Sequence, residues 1–161
     1  NAIADGCSQA EALRACYRFS RDNARTPMQW DASANAGFTT GKPWLKVNPN
    51  YRDLNVAAQE KQKESVLNYY KKLIALRKSS EYREIFTYGD FRPVFEEEKD
   101  ILAYCRSMNG KNVIVVANFA ADSKTVCSDK LANRQILLSN ASVELTDNAL
   151  TLQPAQVVVL G

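Results

Sequence analysis

The chain has 161 residues, of which 45% are hydrophobic and 24% charged, the composition of a folded globular chain rather than a disordered or fibrous one. Lys and Arg number 21 against 18 Asp and Glu, no Lys/Arg run exceeds a dipeptide, and the longest apolar runs are the short stretches 113–117 and 157–160, which speaks against nucleic acid and membrane as partners. There is no histidine, so neither Ser-His-Asp nor Cys-His catalysis nor a His-ligated zinc can be built from this chain alone.

The length suits one ordinary domain or two small ones. Asn1 and Ala2 read as the remnant of an expression scar, and no charged-then-apolar leader follows. Ser8-Gln9-Ala10-Glu11 has the form of a capping box, and Leu13, Cys16 and Tyr17 recur behind it at helical spacing, which predicts a helix over 8–19. From Arg21 to about Gln59 the periodicity is gone. Pro27, Pro43 and Pro49 fall among Asn and Gly residues, yet Met28, Trp30, Phe38, Trp44 and Tyr51 are interleaved. An apolar-studded loop of about forty residues is functional or packed against something.

Val66, Leu67, Tyr70, Leu73, Ile74 and Arg77 follow the i, i+3, i+4, i+7 pattern with Lys71, Lys72 and Lys78 opposite, predicting a helix over 63–79. After Ser80 the period changes from 3.6 to 2. Strands are expected over 91–95, 101–107, 112–119, 124–127, 135–139, 143–145, 149–152 and 156–160, with Asn109-Gly110 as a two-residue hairpin. Short strands with frequent turns indicate an antiparallel sandwich. The chain divides near residue 82 into helices and loop (1–81) and an all-β domain (82–161).

Cys7, Cys16, Cys105 and Cys127 show no C-x-x-C spacing, so a zinc site is not expected and free thiols are the default, with a Cys105–Cys127 contact between neighbouring strands left open. Neither metal nor cofactor is expected. What remains for chemistry is carboxylates, Arg and Lys, Tyr, and Ser and Thr.

The most informative stretch is Arg21-Asp22-Asn23-Ala24-Arg25-Thr26-Pro27-Met28-Gln29-Trp30-Asp31. It places two guanidiniums, two carboxylates, an amide and an indole on a Pro-stiffened loop directly after a helix. Forked Arg hydrogen bonding and an apolar Trp wall suit the vicinal hydroxyls and flat C–H faces of sugars. On chemistry alone an internal ion-pair network locking the loop accounts for the same residues and outweighs the sugar reading.

The stretch resembles the R-D-N-x-R-T-P-M-Q-W-D signature of the oligo-1,6-glucosidase and α-glucosidase branch of glycoside hydrolase family 13. The resemblance continues through Asn35-Ala36-Gly37-Phe38-Thr39, Gly41-Lys42-Pro43-Trp44, Val47-Asn48-Pro49-Asn50-Tyr51 and the Ser65 to Arg77 stretch, and ends in Leu152-Gln153-Pro154 and Val157-Val158-Val159-Leu160. It spans roughly residues 8 to 161 and is densest before residue 80. The fold it implies is an α+β fragment: the last helices and a loop of a (β/α)8 barrel, followed by an antiparallel β-sandwich. Family members hydrolyse α-glucosidic bonds with retention, using an Asp nucleophile, a Glu acid/base and a second Asp. All three belong to barrel strands upstream of anything matched here, so no catalytic residue is expected in this chain.

The resemblance also implies that Arg25 binds the non-reducing-end glucose, beside an upstream Asp. Arg21 is a second, weaker candidate for substrate binding, and with Asp22 it is expected rather to shape the loop. Trp30 and Trp44 are expected as packing anchors, and Glu96-Glu97-Glu98 with Asp100 as a solvated turn. The implied partners are the barrel that precedes this region in a cytoplasmic enzyme and, in the parent, an oligosaccharide. Without the barrel, the apolar faces of the two predicted helices need other cover: either the loop folds back over them or two chains pair as a homodimer, with the pair favoured. A carbohydrate-binding sandwich acting by itself is the alternative of another class. Here Phe95, Tyr104 and Phe119 are expected in the core. Trehalose-6-phosphate hydrolases and sucrose isomerases are the alternative enzyme specificities.

Overall fold

The computed structural model describes residues 3–79 and 81–161, with Asn23 described by its backbone only. Asn1 and Ala2, read above as a scar remnant, lie outside the described residues. The chain forms two compact units, Asn1–Asn68 and Tyr69–Gly161.

In the first unit, helix α1 runs Gln9–Phe19 and opens on the expected capping box. The Glu11 N–H donates to Ser8 Oγ at 3.3 Å, and the Ser8 N–H donates to the Glu11 carboxylate at 3.0 Å. No residue of α1 is buried, and Leu13, Tyr17 and Phe19 stay exposed. The stretch that follows is more ordered than its composition suggests. It holds two 3-10 turns, Asp22–Ala24 and Pro49–Arg52, a left-handed turn within Ala34–Gly37, and a short helix α2, Val56–Lys61. Asn55, 4% exposed, starts α2: its Oδ1 accepts from the Ala58 N–H at 2.8 Å while its Nδ2 donates to the Tyr51 carbonyl at 2.8 Å.

Helix α3 runs Val66–Lys78 rather than from 63. The Ser65 hydroxyl accepts from the Asn68 N–H at 3.2 Å, as an N-cap does, and donates to the Gln59 carbonyl at 2.6 Å. Val66, Tyr70, Leu73 and Ile74 on α3 are exposed. Within the first unit the loop does not fold back over the apolar face of α1, where Leu13, Cys16 and Tyr17 stay exposed.

The second unit contains a short helix where only strands were expected, α4, Arg83–Tyr88, with Ile85 buried. Eight strands follow: β1 Asp90–Pro93, β2 Ile101–Met108, β3 Lys111–Asn118, β4 Lys124–Cys127, β5 Ile136–Ser139, β6 Glu144–Leu145, β7 Ala149–Leu152 and β8 Val157–Leu160. They form two antiparallel sheets, one in the order β1-β2-β3-β8-β5 and one in the order β4-β7-β6. Asn109 and Gly110 close β2 onto β3 with φ of 52° and 77°, so that Met108 faces Lys111. Positive φ at both turn residues matches the twist of the strands.

Alternation along the strands puts one core between the sheets. Ile114 and Val116 of β3 and Val158 and Leu160 of β8 meet Val126 of β4 and Leu150 and Leu152 of β7. The other face of the larger sheet carries Val113 and Val159, against which Ile85 of α4 packs. Two buried amides, Asn118 and Gln156, stand out among the described residues of this unit. Gln156, 1% exposed, donates to Ser142 C=O at 2.9 Å and accepts from Gln153 N–H at 2.7 Å.

The three aromatics expected in the sandwich core fare differently. Phe119 is 72% exposed rather than core, because β3 ends at Asn118 and the chain turns out of the sheet. Phe95 is buried, but it lies beyond the end of β1, in a turn at φ 56°. Tyr104 is half-buried and packs on Phe91 with ring centroids 5.2 Å apart. All four cysteines are free, and Cys105 and Cys127 stand on strands of different sheets, which leaves no neighbouring-strand disulfide. Among the described residues no helix is long and apolar enough to cross a membrane.

Candidate functional site

The candidate site belongs to the first unit and starts where α1 stops. Ser20 ends the helix by donating its N–H to the Cys16 carbonyl, and the chain turns through Asp22–Ala24. Arg21 and Arg25 bracket that 3-10 turn. Arg21 C=O accepts from the Ala24 N–H at 3.2 Å, and the Arg25 N–H donates to Asp22 C=O at 2.9 Å. Both guanidiniums are exposed. Neither makes a side-chain hydrogen bond or ion pair with another described residue. The ion-pair lock expected on chemistry alone is thus not what holds this loop.

Neutral amides hold it instead. The Gln29 and Trp30 carbonyls accept from the N–H groups of Val56 and Ala57 at 2.9 and 3.0 Å, tying this segment to the first turn of α2. The Gln29 side chain donates to Asn50 Oδ1 at 3.1 Å and to the Leu54 carbonyl. Further along, Asn35 and Ala36 adopt φ of 52° and 59°, and Gly37 follows at 66°. This left-handed turn lets the Ala36 carbonyl accept from both Trp30 N–H (2.9 Å) and Asp31 N–H (3.2 Å). Asn35 steadies it by donating to the carbonyls of Thr39 and Gly41 at 3.1 and 3.0 Å. At Gly37 a Cβ would come within 2.7 Å of the Asp31 carboxylate, which would have to swing away, and the positive φ adds to the preference for glycine.

Asp31 accepts from the hydroxyl and the N–H of Ser33. These bonds, the hydroxyl first, hold its carboxyl below the usual carboxylate range. Asp22 is exposed and borders a cavity of about 350 Å³, together with Thr26 and the stretch from Leu45 to Pro49. Arg21 and Arg25 do not line that cavity.

Trp30 and Trp44 are not packing anchors within this chain. They are 50% and 69% exposed, and the turns around them are closed by backbone and amide hydrogen bonds rather than by the indoles. Glu96, Glu97 and Asp100 are exposed in the connection between β1 and β2, as a solvated turn should be. Among the described residues no group of three or more His, Cys, Asp or Glu could hold a metal ion. Sequence reasoning singled out Arg21, Asp22 and Arg25 but did not assign Gln29, Asn50 or Asn55 a role in the loop. The legible signal was Asn55, a helix-capping residue directly before Val56-Ala57-Ala58.

A family model described as the alpha-amylase catalytic domain matches residues 2–89, more than half of the chain. The oligo-1,6-glucosidase of Bacillus cereus is 46% identical over 112 residues, which cover 70% of this chain and 20% of the relative. Among solved structures, the trehalose-6-phosphate hydrolase of Bacillus licheniformis superposes with a TM-score of 0.84 at 31% identity, covering 98% of this chain and 29% of that one. The trehalulose synthase of Pseudomonas mesoacidophila MX-45 does so with a TM-score of 0.81 at 38% identity, again over 98% and 29%. The chain therefore spans a fifth to under a third of the length of these proteins.

Proposed function

Given that the chain belongs to the alpha-amylase family, glycoside hydrolase family 13, we propose that it is the C-terminal region of an α-glucosidase. The parent hydrolyses α-1,6 or α-1,4 glucosidic bonds at the non-reducing end of short oligosaccharides. Residues 1–81 close the catalytic barrel, residues 82–161 form a β-sandwich beyond it, and the preceding barrel brings the nucleophile and the acid/base. This region is structural, and it lends Arg25, and second to it Arg21, to the glucose pocket. The reading includes a cytoplasmic location and no cofactor.

The observation that carries it is the exposed Arg25 guanidinium, unengaged among the described residues, at the end of a 3-10 turn held by backbone bonds. A buried or paired arginine would have argued for a lock; an exposed one on a fixed backbone suits forked bonding to sugar hydroxyls. The identities of 31–46% to glucosidase, phosphotrehalose hydrolase and trehalulose synthase support the family's glycoside chemistry.

The test is hydrolysis of p-nitrophenyl α-glucoside by the complete enzyme and by the 161-residue chain. The complete enzyme turns it over and the chain alone stays at buffer background. Turnover by the chain that tracks its protein peak through repurification would overturn the assignment. A second reading, a glucan-binding module, draws on the exposed Phe119 ring. It requires saturable binding of maltose or isomaltose by the isolated chain, which the favoured reading does not.

A further inference from the structure

We infer that Gln29 is a positioning residue for Arg25, fixing the segment that carries it through the two hydrogen bonds donated by its side-chain amide. The inference rests on the assignment of Arg25 to the glucose pocket. One amide ties the segment to two separate elements: its Nε2 donates to Asn50 Oδ1, in the turn Pro49–Arg52, at 3.1 Å, and to the Leu54 carbonyl, just before α2.

Packing covers only part of this segment: Pro27 is buried, but space lies alongside Gln29. A cavity of about 240 Å³ lies alongside, bordered by Thr26, Met28 and Gln29 and by Leu54, Asn55 and Val56. With space beside it, the position of the segment is set by hydrogen bonds, the Gln29 side-chain pair adding to the backbone bonds from Val56 and Ala57. The link from Gln29 to Arg25 is short and stiff. Pro27 between them is buried with its φ fixed by the ring, and the Arg25 N–H is bonded back to Asp22 C=O at 2.9 Å. Because the Arg25 guanidinium has no partner among the described residues, its reach is set by its backbone alone. A shift of the segment is therefore a shift of Arg25. A side chain acting only as packing would tolerate Glu, which keeps the shape of Gln. A donor to two oxygens would not, since a carboxylate can only accept.

The experiment measures kcat and KM for p-nitrophenyl α-glucoside in the complete enzyme. It places Gln29→Glu and Gln29→Ala in the wild-type background and in an Arg25→Ala background. Each should lower kcat/KM about tenfold in the wild-type background and less than about twofold when Arg25 is already gone, since residues acting as a unit are not additive. Equal losses in both backgrounds, or wild-type constants for Gln29→Glu, would overturn the inference. A silent Arg25→Ala would instead remove the pocket assignment on which it rests, which separates the two failures. If the Gln29 variants do not fold, Asn50→Ala removes one of the two acceptors on an exposed residue. The same comparison of backgrounds then decides.

Discussion

Asn118 ends β3 with 2% of its surface exposed, and its side chain joins the two sheets. Its Nδ2 donates to the carbonyls of Asp122 (2.9 Å), Leu152 (3.2 Å) and Gln153 (3.0 Å), and its Oδ1 accepts from the Ala120 N–H at 2.9 Å. Leu152 belongs to β7 of the smaller sheet, so one amide bridges both layers. Asn118→Leu keeps the branched outline, in a bulkier side chain, and removes every one of these bonds. Each group that loses this partner costs about 0.5–1 kcal/mol, the Leu152 carbonyl because it keeps its strand bond to β4 and the others because water partly reaches them, and the bulkier side chain adds about 1 kcal/mol of strain. Added apolar burial offsets about 1–2 kcal/mol. The net loss is about 2–3 kcal/mol. In urea, where the slope for such a chain is about 1–3 kcal/mol/M, the midpoint followed by far-UV circular dichroism falls by about 1–2 M. Asn118→Asp, which keeps the shape and the acceptor but loses the donors, falls at least as far. A midpoint for either variant within about 0.3 M of the parent would show that the bridge does not hold the sheets.

Gly37→Ala places a methyl against the Asp31 carboxylate at a φ of 66°. It should destabilise the first unit by about 1–3 kcal/mol, read as faster amide exchange at Trp30 and Asp31. The Asp31 carboxyl, held low by Ser33, adds stability that is present above the unfolded value of about 3.9 and withdrawn as pH falls through the lower folded value. Protection of the Ser33 N–H should accordingly fade on acidification below about pH 4, and Asp31→Asn should abolish that pH dependence. The exposed Leu13, Tyr17 and Phe19 of α1 and Val66, Tyr70 and Ile74 of α3 favour pairing of the isolated chain. Light scattering at micromolar concentration should give twice the single-chain mass, whereas a clean monomer with little binding of an apolar dye refutes the pairing.

Features with a short-range cause were legible in the sequence. The Ser8–Glu11 box set the start of α1, and Asn109-Gly110 set the β2–β3 register, because each is decided by neighbours within a few residues. Helices α2 and α4, six residues each, were not legible: they are too short to show a 3.6-residue period, and only the Asn55 cap announced one of them. Exposure of the aromatics was not legible either. Trp30, Trp44 and Phe119 are the sort of residue that fills cores, and whether a ring finds cover depends on partners distant in the chain. At the candidate site the motif drew attention to Arg21 and Arg25 through its residue types. The left-handed turn at Asn35 and Ala36 and the reach of Gln29 to Asn50 and Leu54 depend on how the loop closes on itself, which residue order alone does not determine.

The proposed role of Arg25, in the pocket of a longer enzyme proposed to be an α-glucosidase, is tested most directly by kcat/KM of Arg25→Ala in the complete enzyme, with the melting temperature measured alongside. Losing a charge-assisted bond of about 1.5–3 kcal/mol lowers kcat/KM for short substrates by roughly 10- to 150-fold. The melting temperature should barely move, because the guanidinium has no partner among the described residues to lose. Wild-type kinetics would contradict the assignment, and a collapsed melting temperature in place of a kinetic loss would contradict it by making Arg25 a structural residue.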